Sequence, residues 1–279
     1  MDLFSQRPLV IASMHKKESV IAPILSFRLG VQPFVPKSIN TDLLGTFTGE
    51  IARVDDVFTT VRKKCLMAME MTGCDLAVAS EGSFGQHPQL FFSAADDEVL
   101  LLIDAKNGIE IVGRAISVNT NMNGDYVKSE DELRHFAEKA GFPAHALILR
   151  NEKNGKELMY KGIQKESDLI NYYHKIEQKA GKVFVETDMR AMYNPSRMDV
   201  IADATLNLVE NALMKCPKCN GPGFSPSKTL QGLPCELCGA PTKTAKAHLH
   251  ECALCQYIEE RSNQDKKYED PMYCDFCNP

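Results

Sequence analysis

The chain has 279 residues, 44% of them hydrophobic, with ten cysteines and a net charge of -5. So much apolar residue can bury a substantial core, which excludes a disordered chain. The acidic balance argues against a surface that grips nucleic acid or anionic lipid by bulk electrostatics, although a local basic patch is compatible with it. The opening Met1-Asp2-Leu3-Phe4-Ser5-Gln6-Arg7 lacks the basic start and apolar run of a signal peptide, and no segment approaches about 18 consecutive apolar residues. A cytoplasmic protein without membrane contact is expected.

Residues 9–12 read as a buried strand and residues 16–29 as a helix ending at Gly30, a C-cap. Residues 31–35 resume as strand. Asp55 or Asp56 can N-cap a helix that runs to Thr72 and closes at Gly73, with Val57, Val61, Cys65, Met69 and Thr72 along its inner stripe. Residues 75–80 form another apolar strand. Residues 99–103 and 109–116 flank Asn107-Gly108, a short-hairpin signal, so an antiparallel pair is expected there. Ser129-Glu130-Asp131-Glu132 is a capping box that opens a helix to Ala140. A strand at 146–149, a helix at 167–180 and a strand at 182–186 follow. Asn194-Pro195 then caps and starts a final helix that ends just before Cys216. The pattern is α/β with a mixed sheet. No repeat, low-complexity tract or Pro/Gly/Ser-rich linker interrupts it, so residues 1–214 read as one α/β domain and residues 215–279 as an appended double zinc-ribbon module.

Eight of the ten cysteines fall after residue 215, as Cys216/Cys219, Cys235/Cys238, Cys252/Cys255 and Cys274/Cys277. Fifteen residues separate the first two pairs and eighteen the last two, which fits a zinc-ribbon template. In a reducing compartment such pairs ligate metal more readily than they form disulfides. Two knuckles complete a tetrahedral Cys₄ site with no open position for substrate, so two structural zinc ions are expected. Asn220-Gly221 and Gly239 suit the tight turns behind the first knuckles. Sequential pairing, first with second and third with fourth, is the preferred reading; a cross-braced one, first with third and second with fourth, stays open. His248 and His250 are spare ligands at best. A thioredoxin-like dithiol would need a strand-to-helix junction in a βαβ unit, which the flanking sequence does not supply. Structural or docking use of the ribbons is preferred to nucleic-acid contact. Lys215, Lys218, Lys228, Lys243 and Lys246 are offset by Glu251, Glu259, Glu260, Asp265, Glu269, Asp270 and Asp275.

Ligands of open α/β sheets collect beyond the carboxyl ends of strands, and three loops there stand out. The first, Ser13-Met14-His15-Lys16-Lys17-Glu18, puts a hydroxyl, an imidazole and two ammonium groups at a helix N-terminus, which suits phosphate. The alternative is that Ser13 caps the helix and the lysines are solvated. In the second, residues 79–88, Glu81 emerges from an apolar strand into a Gly-flanked turn. There it can hold Mg²⁺ or orient water, helped by Glu50, Asp55, Asp56 and Asp75. His87 is a candidate general acid; a surface turn is the alternative. In the third, residues 186–197, Arg190 and Arg197 beside a helix N-terminus form an anion clamp, unless Asp188 takes one of them as an ion pair.

The loop Ser13-Met14-His15-Lys16-Lys17, the helix start Asp56-Val57-Phe58-Thr59-Thr60, the strand end Ser80-Glu81-Gly82 and the segment Pro195-Ser196-Arg197 follow one another in a familiar order. Together they resemble the inosine triphosphate pyrophosphatase and Maf superfamily of nucleotide house-cleaning enzymes. The resemblance covers roughly residues 8–212 and implies a triphosphate bound with Mg²⁺ and an acid that activates water. His15 stands where the family has Asn, Glu81 where it often has paired Asp, and zinc ribbons are foreign to it. The whole chain, with Ala79-Ser80-Glu81-Gly82-Ser83-Phe84-Gly85 and the terminal Asp270-Pro271-Met272-Tyr273, also resembles a microbial family without an assigned activity.

The resulting expectation is a Mg²⁺-dependent nucleotide hydrolase acting on nucleoside triphosphates, non-canonical ones included. Glu81, Asp56 and Asp75 would be its catalytic acids, and Ser13, His15, Lys16, Lys17, Arg190, Ser196 and Arg197 its phosphate and ligand contacts. The rivals are a non-catalytic nucleotide- or RNA-binding zinc-ribbon protein and a scaffold whose ribbons dock a protein partner.

Overall fold

A computed structural model of the chain describes residues 3–37, 39–41, 55–87, 92–263 and 266–279. The chain divides into two compact units: Phe4–Ile103 with Val112–Val209, and Asp104–Ile111 with Glu210–Pro279 and Leu3. Among the described residues, no helix is long and apolar enough to cross a membrane.

The first unit holds two sheets. The first sheet contains β1 (Pro8–Ala12), β2 (Gln32–Phe34), β3 (Leu76–Gln86), β4 (Ala94–Asp104) and β5 (Ile109–Ser117), in the order β2-β1-β3-β4-β5. β1 runs parallel to both β2 and β3. β4 and β5 are neighbours joined by the tight turn at Asn107-Gly108, so they run antiparallel, as the turn sequence demands. Helix α1 (Glu18–Leu29) links β1 to β2, and α2 (Val57–Thr72) precedes β3. Asp56 caps α2 by accepting from Phe58 N at 2.9 Å and Thr59 N at 3.0 Å. Alternation along the strands divides the core in two. Val10, Ala12, Ala77, Ala79, Val99, Leu101 and Ile103 pack with Val61, Cys65 and Ala68 of α2, while Leu9, Ile11, Leu76, Val78, Leu100 and Leu102 are buried on the opposite face.

This five-stranded sheet is the mixed sheet expected from sequence, and the unit holds a second sheet besides. The second contains β6 (Gly124–Val127), β7 (Leu147–Arg150), β8 (Met159–Ile163) and β9 (Val183–Thr187), in the order β6-β9-β7-β8 with every pair antiparallel. Two βαβ crossovers interlock in it: β6-α3-β7 straddles β9, and β8-α4-β9 straddles β7. Helices α3 (Glu130–Ala140) and α4 (Glu166–Ala180) bury Leu133, Phe136, Leu169, Tyr173 and Ile176 against Leu147, Leu149, Val183 and Val185. β6 and β8 escape a sequence reading because Gly-Asp-Tyr-Val and Met-Tyr-Lys-Gly-Ile carry no apolar alternation. Helix α5 (Pro195–Leu213) starts where Asn194-Pro195 says it should, with Asn194 Oδ1 accepting from Arg197 N at 3.1 Å.

The second unit is a meander of β10 (Pro226–Gln231), β11 (Ala245–Glu251) and β12 (Ile258–Ser262). It is tied to the end of α5 by Gly223 N to Ala212 O and Phe224 N to Met214 O, at 3.2 and 3.0 Å.

Candidate metal centres and a buried charged cluster

The eight C-terminal cysteines form two groups, Cys216, Cys219, Cys252 and Cys255, and Cys235, Cys238, Cys274 and Cys277, with the sulfurs of each group within 4.8 Å of one another. The first knuckle therefore joins the third and the second joins the fourth. The pairing is cross-braced, which overturns the sequential reading. The meander is the physical cause: each strand carries the chain across the unit, so consecutive knuckles emerge at opposite ends and alternate ones at the same end. Sulfur separations of 3.7 Å (Cys216–Cys255), 3.5 Å (Cys219–Cys252), 3.8 Å (Cys235–Cys277) and 3.6 Å (Cys238–Cys274) match the roughly 3.8 Å edge of a tetrahedron with Zn–S near 2.3 Å. The two groups fit one zinc ion each, with no position left for water or substrate.

Each knuckle is the same turn. The residue after the second cysteine donates its N–H to the first cysteine's carbonyl: Asn220 to Cys216, Gly239 to Cys235, Gln256 to Cys252 and Asn278 to Cys274, all at 2.8–2.9 Å. The expected left-handed backbone is present at Asn220 (φ 59) and Gly239 (φ 72), and also at Gln256 (φ 59). Within one group the backbone N–H groups of Phe276 and Cys277 lower the Cys274 thiol to about 7, while the neighbouring Cys238 sulfur and burial push the Cys277 thiol up to about 12. His250 Nδ1 bonds the Phe224 carbonyl at 3.0 Å and His248 faces Thr229 Oγ1 at 3.2 Å, so neither belongs to a metal group. Among the described residues, these cysteine groups are the only sets of three or more His, Cys, Asp or Glu placed to share an ion.

A different polar site lies where β1 ends and β3 continues past it. Lys17, Lys64, Ser80, Glu81, Asp96, Glu98 and Arg197 are all buried there. Lys17 enters from the turn before α1, in which His15 and Lys16 hold φ of 64 and 61, a conformation costing on the order of 1–2 kcal/mol per residue without glycine. Its Nζ reaches Ser80 Oγ at 3.2 Å and lies 3.6 Å from Glu98 Oε2. Burial lowers its pKa to about 8, with Arg197 and Lys64 pushing the same way against Glu98 and Glu81. Arg197, in the first turn of α5, donates Nε to Glu98 Oε1 at 2.6 Å and Nη1 to the Met189 carbonyl, and its guanidinium lies 5.2 Å from the Phe84 ring centroid. Burial opposes a charge on Glu98, but Arg197 and Lys17 outweigh it and hold the carboxyl below its ordinary range. On the α2 side, Lys64 pairs with Glu81. A side chain at Gly82 would overlap Glu98 and Arg197, so glycine here makes room for the ion pair.

Three of the candidate residues, Lys17, Glu81 and Arg197, thus meet in one cluster. Glu81 lies inside β3, which runs on to Gln86, and not in the Gly-flanked turn expected after residue 80. Asp75 precedes the same strand, six positions and about 20 Å from Glu81, and pairs with Arg7 at 2.9 Å. Asp56 is the exposed cap of α2, eight positions and about 12 Å of helix from Lys64; hydrogen bonds from Thr59 lower its carboxyl pKa. Asp55 pairs with Lys63 at 2.5 Å. Ser13 Oγ bonds Glu18 Oε2 at 2.9 Å, Lys16 is exposed, and Ser196 Oγ meets His145 Nε2 at 2.9 Å. Arg190 is claimed by Asp188 through Nε at 3.0 Å and Nη2 at 2.6 Å, the ion-pair alternative. His87 follows β3, its N–H bonded to Ser93 O at 2.8 Å. Glu50, Pro88 and Asp265 lie outside the described residues.

Lys64, Asp96 and Glu98 are not among the residues that sequence singles out, yet two signals mark them. Lys64 falls on the helical stripe of Val61, Cys65 and Ala68, and Asp96 and Glu98 continue the buried face of Leu100 and Leu102 with period two. A charge at a core position is the unusual observation.

With this geometry in view, the chain is placed by comparison. It belongs to the family described as a domain of unknown function (DUF6671), which matches residues 64–279. That span takes in Lys64, Glu81, Asp96, Glu98, Arg197 and all eight zinc-site cysteines, and begins after Lys17. No curated protein matches the chain.

Proposed function

We propose that the buried cluster binds a phosphorylated small molecule, a nucleoside triphosphate foremost, and hydrolyses it. The single observation that supports this reading is the gathering of three buried cations, Lys17 from the turn before α1, Lys64 from α2 and Arg197 from α5, around the segment Ser80-Glu81-Gly82 of β3 at the carboxyl end of β1. Positioned ammonium and guanidinium groups in a dry site stabilise the charge a phosphoryl group develops as it is attacked. Mg²⁺ would arrive with the polyphosphate, since it needs only one or two carboxylates besides phosphate oxygens. Glu81 and Glu98 are the acids in place to serve it or to orient water. The order of the loops resembles that of the inosine triphosphate pyrophosphatase and Maf enzymes, which favours an anhydride as substrate. The zinc ions brace the second unit and take no part in the chemistry.

The test is release of phosphate or pyrophosphate from a panel of standard and deaminated nucleoside triphosphates with Mg²⁺, comparing wild type with Glu81→Gln. Turnover lost in the variant supports the reading; folded, zinc-loaded protein inactive on every nucleotide would contradict it. A second reading, docking of a protein partner through the zinc-holding unit, is favoured by one observation. Leu237 and Phe276, at the same position of the two knuckles of one cysteine group, are 74% and 78% exposed.

A further inference from the structure

A threonine inside a helix has an acceptor at hand, the carbonyl four residues back. Thr72 and Thr205 use it, donating Oγ1 to Ala68 O and Ile201 O, each at 2.7 Å. Thr59 donates to Asp56 Oδ2 at 2.5 Å instead. Thr60 does neither: it is 2% exposed, and its Oγ1 has no hydrogen-bond partner. A hydroxyl taken out of water without a partner costs stability, and in a folded chain such a group marks either strain or a contact made with something outside the fold.

Beside it stands Lys64. Thr60 and Lys64 lie one helical turn apart on the buried side of α2, next to the row Val61, Cys65 and Ala68 that packs on the sheet, so their side chains are neighbours. An ammonium group carries three donors, and among the described residues the side-chain bonding of Lys64 is confined to Glu81. Two ammonium protons and one hydroxyl proton are thus unspent where little water reaches. A metal cation placed there would meet an ammonium charge; an anionic oxygen would meet donors on two sides.

We propose that Thr60 Oγ and Lys64 Nζ form one oxyanion-holding pair, in which a phosphate oxygen of the ligand accepts from both while Lys64 keeps its bond to Glu81. The pair rests on the anion-binding reading of the cluster and adds to it a neutral, specificity-determining contact.

Thr60→Val, which keeps the shape and removes the hydroxyl, and Thr60→Ser, which keeps the hydroxyl, test this in the full-length, zinc-loaded chain. Without ligand, Thr60→Val should unfold at the same denaturant concentration as wild type or a higher one, because no bond is lost. Sulfate affinity, measured by calorimetry at constant ionic strength, should fall roughly tenfold in Thr60→Val, the worth of one hydrogen bond to an ion, and stay near the wild-type value in Thr60→Ser. A lower unfolding midpoint for ligand-free Thr60→Val would show that the hydroxyl serves the fold, and would overturn the proposal. Equal losses of affinity in the two variants would make the effect one of packing and do the same. Equal sulfate affinity in wild type and Thr60→Val would overturn the pair and leave the anion site at Lys17 and Arg197 standing; a wild type that binds no sulfate would overturn both.

Discussion

The two polar centres of this protein solve the same problem, gathering groups that repel water's loss or one another, in opposite ways. Each cysteine group joins two knuckles distant in sequence, with 39 positions from Cys216 to Cys255 and 42 from Cys235 to Cys277, and both knuckles are the same local turn. The charged cluster has no repeated turn: Glu98 meets Arg197 across 99 positions and Lys17 meets Ser80 across 63. The first is a set of thiols placed to hold a metal, whose binding would supply its folding energy. The second is held by burial, where paired charges roughly balance their desolvation and an orphaned one does not.

The largest expected effect follows from the first half of that contrast. Chelation should remove two zinc ions per chain and unfold the second unit, since structural zinc contributes on the order of 10 kcal/mol per site at neutral pH. Substituted cysteines sharpen it: Cys216→Ser with Cys252→Ser should leave one zinc by metal analysis, and Cys216→Ser with Cys235→Ser none. The reverse result would restore sequential pairing.

Next come the ion pairs. Glu98→Gln leaves Arg197 and Lys17 buried without their acid and should cost about 3–5 kcal/mol by denaturant unfolding. Gly82→Ala, which pushes a methyl group into the same pair, should cost about 1–3 kcal/mol. If instead both variants unfold like wild type, the cluster is more solvated than its burial implies.

The pH dependence is a subtler mark. Lys17 loses its proton near 8 in the folded chain and near 10.5 in the unfolded one, so the unfolded state binds more protons between those values. Stability contributed at this position therefore rises with pH from about 8 to about 10.5, and Lys17→Met should flatten that part of the curve. The smallest effect belongs to Asp56→Ala, which removes the α2 cap and should cost about 1 kcal/mol by thermal unfolding without altering ligand binding.

The same contrast explains what the sequence made legible. Cys-x-x-Cys spacing names its metal because ligand type and local turn are both written within four residues. The partner knuckle is not, since it depends on how the strands between knuckles run. Lys17, Glu81 and Arg197 could be found as charges at element ends, and Asn194, Asp56 and Ser129 as caps. Lys64, Asp96 and Glu98 needed the period of α2 and β4 to be read for its exceptions, and β6 and β8 had no period to read. Asp56 and Asp75 drew notice as acids near Glu81 in sequence, but strand rise and helix length carry them away from it.

The central claim is that the cluster around Glu98 is an anion site. Chemical-shift mapping of the zinc-loaded chain with a Mg²⁺-bound nucleoside triphosphate tests it most directly. The account predicts saturable shifts concentrated on the amides of Lys17, Ser80, Gly82 and Arg197. Shifts confined to the zinc-holding unit, or none at saturating nucleotide, would contradict it.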